Sequence, residues 1–299
     1  MWIVFALLVR LIWAGTNAVD QVLARVHPKH NVLAAMTIQY MCFLPFAGIG
    51  YFLASPFTLH APFIFYCLGA ILGMAIGGIP YFIALRREEA YNVTPYLELT
   101  PVFLIGFAYL FKHETLTATQ LAGAAIIIAS GFLFSWDFAH GRFKTSIFLL
   151  LASSSLAWAT YQFCVSQAEP LAGMWGIDAC YYLGMSCIGF TLFATHKEVR
   201  ETILTTFTRT RGNSALLAFA TNILDISGLA VLLLAFRYAP TIGHVAAVSG
   251  AQPIFSFLLT LPLARLYPQH FAQATLDLAA LGKLTLIFFI FFGVYLLAG

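Results

Sequence analysis

Residues Arg10-Leu11-Ile12-Trp13-Ala14-Gly15-Thr16-Asn17-Ala18-Val19-Asp20-Gln21 lie near the start of an otherwise apolar segment. On a helix turning about 100° per residue, Arg10, Trp13, Asn17, Asp20 and Gln21 fall within an arc of roughly 100°. The other faces are Leu, Ile, Val and Ala. A charge on a lipid-length helix costs about 2.5–3.5 kcal/mol at the bilayer centre even on the lenient insertion scale, so this stripe must face protein or water. The pattern returns in the second half of the chain. Leu11 to Arg25, LIWAGTNAVDQVLAR, is echoed by Leu156 to Pro170, LAWATYQFCVSQAEP, with Trp158, Tyr161, Gln162 and Glu169 on one face. Two polar-striped helices imply two matching halves around one wet interior.

Composition points the same way. Of 299 residues, 61% are hydrophobic and 9% charged, against about 25% charged in soluble domains. Lipid is therefore the solvent for most of the chain. The net charge of +3 is spread over short loops, which suits juxtamembrane Lys and Arg rather than a nucleic-acid surface. The five cysteines lie inside apolar segments without a C-x-x-C, and read as small buried hydrophobes.

A span of the hydrocarbon core needs about 20 apolar residues. Ten segments qualify: residues 2–25, 31–53, 61–85, 90–111, 118–136, 145–168, 175–195, 214–237, 241–262 and 280–298. The expected fold is an all-α membrane protein of ten transmembrane helices in two five-helix repeats, residues 1–140 and 141–299. The stretch ALRREEAYNVTPYLELTPVF before and within the fourth span is answered by AFRYAPTIGHVAAVSGAQPIF before the ninth, so that Pro101 matches Pro253. Five spans per half is odd, so the halves enter the membrane inverted, and such repeats place the working site near the midplane. Lys and Arg concentrate in the loops after spans one, three, five, seven and nine, with Lys112 and Arg237 on the other side. The positive-inside rule then puts both termini outside the cytoplasm.

At this level the sequence resembles the drug/metabolite transporter superfamily, of the EamA type. The likeness rests on Trp13-Ala14-Gly15-Thr16-Asn17, its weak repeat Trp158-Ala159-Thr160, the Ala-Leu-basic approach to the fourth span, and Pro101 with Pro253. It also rests on His113-Glu114 ahead of Gln120-Leu121-Ala122-Gly123. The resemblance implies a secondary transporter with a central cavity lined by spans one, three, four, six, eight and nine, in a bacterial inner (cell) membrane. Two departures are visible: no glycine precedes His113-Glu114, and no glutamate answers it after span nine. Relatives are usually drawn with both termini cytoplasmic, opposite to the Lys and Arg distribution.

Candidate chemistry follows from depth. Glu98 and Asp225 are the acids deepest in their spans, and an intramembrane carboxylate reads as a proton carrier, a cation site or a counter-ion. They are the candidates for proton coupling; structural pairing of Glu98 with Arg10, or of Asp225 with Asn222, is the alternative for each. Arg10 could equally hold a substrate carboxylate. The expected solute-binding set is Arg10, Trp13, Asn17, Gln21, Glu98, Trp158, Tyr161, Gln162, Asp225 and Gln252. The indoles and Tyr161 offer faces for stacking, and the amides offer neutral hydrogen bonds. Asp20, Asp178 and Glu169 sit nearer span ends, where interfacial solvation accounts for them, and His244 reads as interfacial. Tyr96, Tyr181 and Tyr182 are further aromatic candidates, and Gly69, Gly73 and Gly77 give small-xxx-small packing.

No metalloprotease, nucleophile-elbow, phosphate-loop or dinucleotide motif is present, so no cofactor or metal is expected. The expected activity is alternating-access transport of a small polar metabolite, an amino acid or related zwitterion, by proton coupling or exchange. The partners are then solute, bilayer and protons, with no nucleic acid. Transport of cationic metabolites or drugs is the alternative. From another class, so is a membrane-embedded enzyme using Glu98, Asp225 and His244 on lipid-borne substrates.

Overall fold

The structure, a computed structural model, describes residues 1–26, 31–54, 59–113, 117–134, 136–137, 142–210, 213–239, 245, 248, 251–268, 270–271 and 278–298. In chain order the helices are α1 (Trp2–Val26), α2 (Val32–Met41), α3 (Leu44–Leu53), α4 (Ala61–Arg87), α5 (Ala90–Leu97), α6 (Leu99–Lys112) and α7 (Ala118–Phe134). They continue as α8 (Thr145–Thr195), α9 (Lys197–Thr210), α10 (Asn213–Tyr238), α11 (Gln252–Leu266) and α12 (Leu278–Ala298). A two-residue ladder, β1 (Trp136–Asp137) with β2 (Arg142–Phe143), precedes α8. Among the described residues, six helical stretches are long and apolar enough to cross a bilayer, and three shorter apolar helices accompany them. Apart from that ladder the regular structure of the described residues is helical, with the several apolar helices of a multi-pass membrane protein.

Helix limits follow local chemistry. Asn31 caps α2, its Oδ1 accepting from the Ala34 amide at 3.0 Å, which satisfies one orphan N–H of the first turn. Pro62 sits in the first turn of α4 and Pro253 in that of α11, where the missing N–H is harmless. Mid-segment prolines do the reverse. The fourth expected span divides at Glu98 into α5 and α6, because Pro101 cannot donate to the Leu97 carbonyl and its ring crowds that oxygen. The second divides before Pro45.

The sixth and seventh expected spans are the two arms of α8, which meet at a kink where Gly173 has a non-helical φ of 68° and ψ of 171°. Tyr161 on the first arm and Tyr181 on the second stand with ring centres 5.3 Å apart, so the chain turns back at that glycine. Two other expectations change. The charged stretch from Lys197, read as a break, is the helix α9. Val199, Ile203 and Thr206 bury one narrow face, while Leu204 and Phe207 are exposed among charges and threonines, so the buried stripe is short enough to be masked by net polarity. Asp20 and Asp178, assigned to span ends, are buried at 5% and 2% exposure.

Glycine sets the closest helix contacts. A Cβ on Gly73 of α4 would stand 2.7 Å from the Ala157 carbonyl oxygen, and one on Gly77 would stand 2.6 Å from Trp158 Cδ1. Likewise, a Cβ on Gly228 of α10 would strike Trp13 Nε1 and stand 2.7 Å from its Cδ1. Each tryptophan on a polar stripe therefore lies flush against a glycine of a facing helix.

Candidate functional site

A cavity of about 120 Å³ lies between α1, α2, α4, the α5–α6 break, α8, α10 and the start of α11. At the roughly 30 Å³ that a water takes in the liquid, it has room for about four waters.

From α1 come Arg10, Trp13, Asn17 and Asp20, on successive turns of one face as their spacing requires. The Arg10 guanidinium stacks on the Trp13 ring, its Cζ 5.0 Å from the centroid, a cation–π contact strengthened by exclusion of water. The other charge within reach of Arg10 is Glu98, which the proline-induced break sets at the cavity wall with 3% exposure. From α8 come Trp158, Tyr161 and Gln162; from α10, Asp225; and Gln252 is the first residue of α11. Nine of the ten residues expected to bind solute thus border one hollow.

Gln21 is placed differently. Fully buried, it lies just past the cavity, next to Asp20, and donates from Nε2 to Glu89 Oε2 at 2.6 Å and to the His270 carbonyl at 2.8 Å. Its Oε1 accepts from the Ala90 amide at 2.6 Å. Arg25, the next turn on, donates to Glu89 Oε1 at 3.0 Å and to the His270 carbonyl at 2.7 Å. Lys144 pairs with Glu88 at 2.6 Å. This lock ties α1, the start of α5 and the segment after α11 together at the Arg25 end of the cavity.

Several lining groups lay outside the sequence reading. Tyr81 is the most consequential: its hydroxyl lies 2.8 Å from Asn17 Oδ1 and 3.2 Å from Asp20 Oδ2, and its ring centre is 4.9 Å from that of Trp158. It joins the two polar stripes. Its signal in the sequence was a lone phenol after Gly77, Gly78 and Pro80 in an apolar run. Gln39 and Tyr40 of α2 also border the hollow; the Gln39 carbonyl receives the Asn222 amide at 2.7 Å, so the Asn222 Nδ2 amide is directed to Gln39. Tyr181 and Tyr182 belong to the packed core beside Phe43, with ring centres 6.3 and 4.9 Å from it. Tyr96 is likewise buried, and Glu169 is exposed. His244 and Glu114 lie outside the described residues.

The polar inventory is unusual for a buried space. Arg10 Nε, Trp13 Nε1, Asn17 Nδ2 and Trp158 Nε1 are buried donors without a hydrogen-bond partner, and Asp20 Oδ1 is a buried acceptor without one. Orphaned polar atoms of this kind each cost about 1–3 kcal/mol. All five belong to residues bordering the cavity.

Residues 1–136 are identified as an EamA-like transporter family domain, consistent with the drug/metabolite transporter superfamily. The family is one of membrane transporters. No curated protein matches the chain in sequence. Among 19 similar chains of solved structure, one described only as "Crystal structure of protein" aligns with a TM-score of 0.56 at 18% identity. The alignment covers 99% of this chain and 97% of that one. That likeness carries the fold alone.

Proposed function

We propose that the protein is a secondary active transporter of the bacterial inner membrane that moves an amino acid or related zwitterion by alternating access. The observation that carries this reading is the cavity's division of labour. Buried donors around Arg10 suit a carboxylate, and the acids Asp20 and Asp225 suit an ammonium. In this reading the solute satisfies the orphaned groups, and Glu98 and Asp225 couple its movement to protons.

The proposed frame is ten crossings: α1, α2–α3, α4, α5–α6, α7, both arms of α8, α10, α11 and α12. They fall into two inverted repeats, residues 1–140 and 141–299. Reciprocal packing supports it. Exchanging the first span with the sixth and the third with the eighth turns Trp13-on-Gly228 into Trp158-on-Gly77. The lock around Gln21, Arg25 and Glu89 is then the closed gate on the Lys- and Arg-rich face. A reporter fused after Gly299 is expected to read as non-cytoplasmic; a cytoplasmic signal reverses the orientation.

The presence of three lining carboxylates against one guanidinium favours cationic solutes as the second reading. Counterflow in proteoliposomes separates the two, using an amino acid and the amine left by its decarboxylation. The zwitterion is expected to exchange saturably. Arg10→Gln should weaken it roughly tenfold or more, the scale of a lost charged hydrogen bond, with little effect on the amine. Preference for the amine in the wild type would instead establish the cationic reading, and absence of any saturable counterflow would remove transport.

A further inference from the structure

A second, larger space lies away from the cavity. A groove of about 1150 Å³ opens where the last turns of α1 and α4 meet the start of α2 and the α8–α9 junction. Its described lining carries Arg25, Arg86, Arg87 and Lys197 against one carboxylate, Glu198. Arg25 is engaged by Glu89 in the lock. Arg86 Nε donates to the Ala24 carbonyl at 2.8 Å and Arg87 Nη1 to Ser146 Oγ at 3.0 Å, contacts that orient both guanidinium groups at the rim.

The groove is not a purely aqueous cleft. Along α4, Phe65, Leu68, Leu72, Ile76 and Ile79 are all exposed at spacings of three and four, the stripe a membrane helix turns to lipid. The same row runs on through Ile83 into Arg86 and Arg87, and Ile79 and Ile83 themselves form the groove wall. An acyl-chain surface thus leads without interruption into a cluster of cations at the end of the helix. A soluble anion would use only the second part.

We propose that this groove binds an anionic phospholipid, with an acyl chain along Leu72 to Ile83 and the phosphodiester at Arg86, Arg87 and Lys197. The inference stands apart from the transport reading. Each basic side chain near an anionic headgroup contributes roughly fivefold in affinity.

The test is thermal unfolding of the full-length protein in neutral detergent, with phosphatidylglycerol or phosphatidylcholine added, alongside native mass spectrometry of retained lipid. Phosphatidylglycerol is expected to raise the midpoint by roughly 3–6 °C more than phosphatidylcholine, by mass action. Arg87→Gln with Lys197→Gln, both at exposed positions, should remove at least half of that difference and the retained lipid. Arg265→Gln, exposed on α11 and outside the groove, should keep both. Equal shifts from the two lipids, or a full difference in the double variant, would overturn the proposal. So would an equal effect from water-soluble glycerophosphoglycerol, which has the phosphodiester but no chain.

Discussion

Asp225→Asn is expected to abolish uphill transport driven by a proton gradient, while counterflow of the same solute stays within about tenfold of wild type. Asp225 and Asp20 border one cavity and lie within electrostatic reach of each other. Two ionised carboxylates repel by about 4 kcal/mol at 4 Å and an effective dielectric of 20, and by less as they separate. A positive charge arriving between them, either a proton or a solute ammonium, relieves that repulsion. Competition between the two for one place is a coupling mechanism. Asparagine keeps the shape and cannot ionise, so the repulsion disappears and with it the reason for a proton to enter or leave. Exchange of solute for solute moves no net proton and is spared. The measurement is uptake into proteoliposomes under an imposed pH gradient beside counterflow at equal pH. Gradient-driven uptake by Asp225→Asn at the wild-type rate would remove Asp225 from the coupling step. Glu98→Gln tests the other candidate under a complication the structure explains: Glu98 is the acid within reach of buried Arg10. Breaking a buried pair from one side costs about 3–5 kcal/mol, so loss of folded protein in Glu98→Gln alone, with recovery in Glu98→Gln plus Arg10→Gln, would identify a structural counter-ion.

How far the sequence could be read depended on whether the signal was local. The stripe from Arg10 to Gln21 was legible because helical period and the cost of charge in lipid act within a single segment. They require those side chains to share a sheltered face wherever the neighbours lie. Pro101 after Glu98 carried a local signal too, since its missing N–H removes a helical bond, although Pro80 and Pro262 are tolerated inside continuous helices. What escaped depends on other helices. Gln21 shares its stripe with Asn17, yet one turn decides between bordering the hollow and joining a lock with Glu89 and His270, and only the fold places those partners. Tyr81 sits on a helix whose glycine spacing drew the reading toward packing; that packing against α8 is real, but the same contact swings Tyr81 toward Asn17 and Asp20. Asp20 and Asp178 were assigned to water by their distance along the chain from span ends. Neighbouring helices bury them instead. The helix α9 was masked because Val199, Ile203 and Thr206 form one thin buried line among charges and threonines.

Gly228→Ala is expected to lower solute affinity by roughly five- to hundredfold, the scale of the 1–3 kcal/mol typical of overpacking, and Gly77→Ala should do the same. At position 228 the added methyl would strike Trp13 Nε1 and stand 2.7 Å from Cδ1. Backbone bonds hold α10 from turn to turn, so the indole is the group that moves. It moves with a passenger, since the Arg10 guanidinium rides on its face at 5.0 Å. A shift of Trp13 into the cavity therefore narrows the hollow and displaces its cation together. At position 77 the methyl would stand 2.6 Å from Trp158 Cδ1 and 3.1 Å from Ala157 Cβ, pushing the second indole toward Tyr81, whose ring it already meets at 4.9 Å. Counterflow KM and thermal unfolding, read together, separate a reshaped site from a weakened fold. Adding Trp13→Phe to Gly228→Ala should restore the unfolding midpoint, because a smaller ring clears the methyl, while affinity stays low for want of the indole. Were the two glycine variants to fold and transport as the wild type does, the flush seating of the indoles would have no part in shaping the cavity. Were only one to fail, the reciprocity that supports two inverted repeats would lose its functional counterpart.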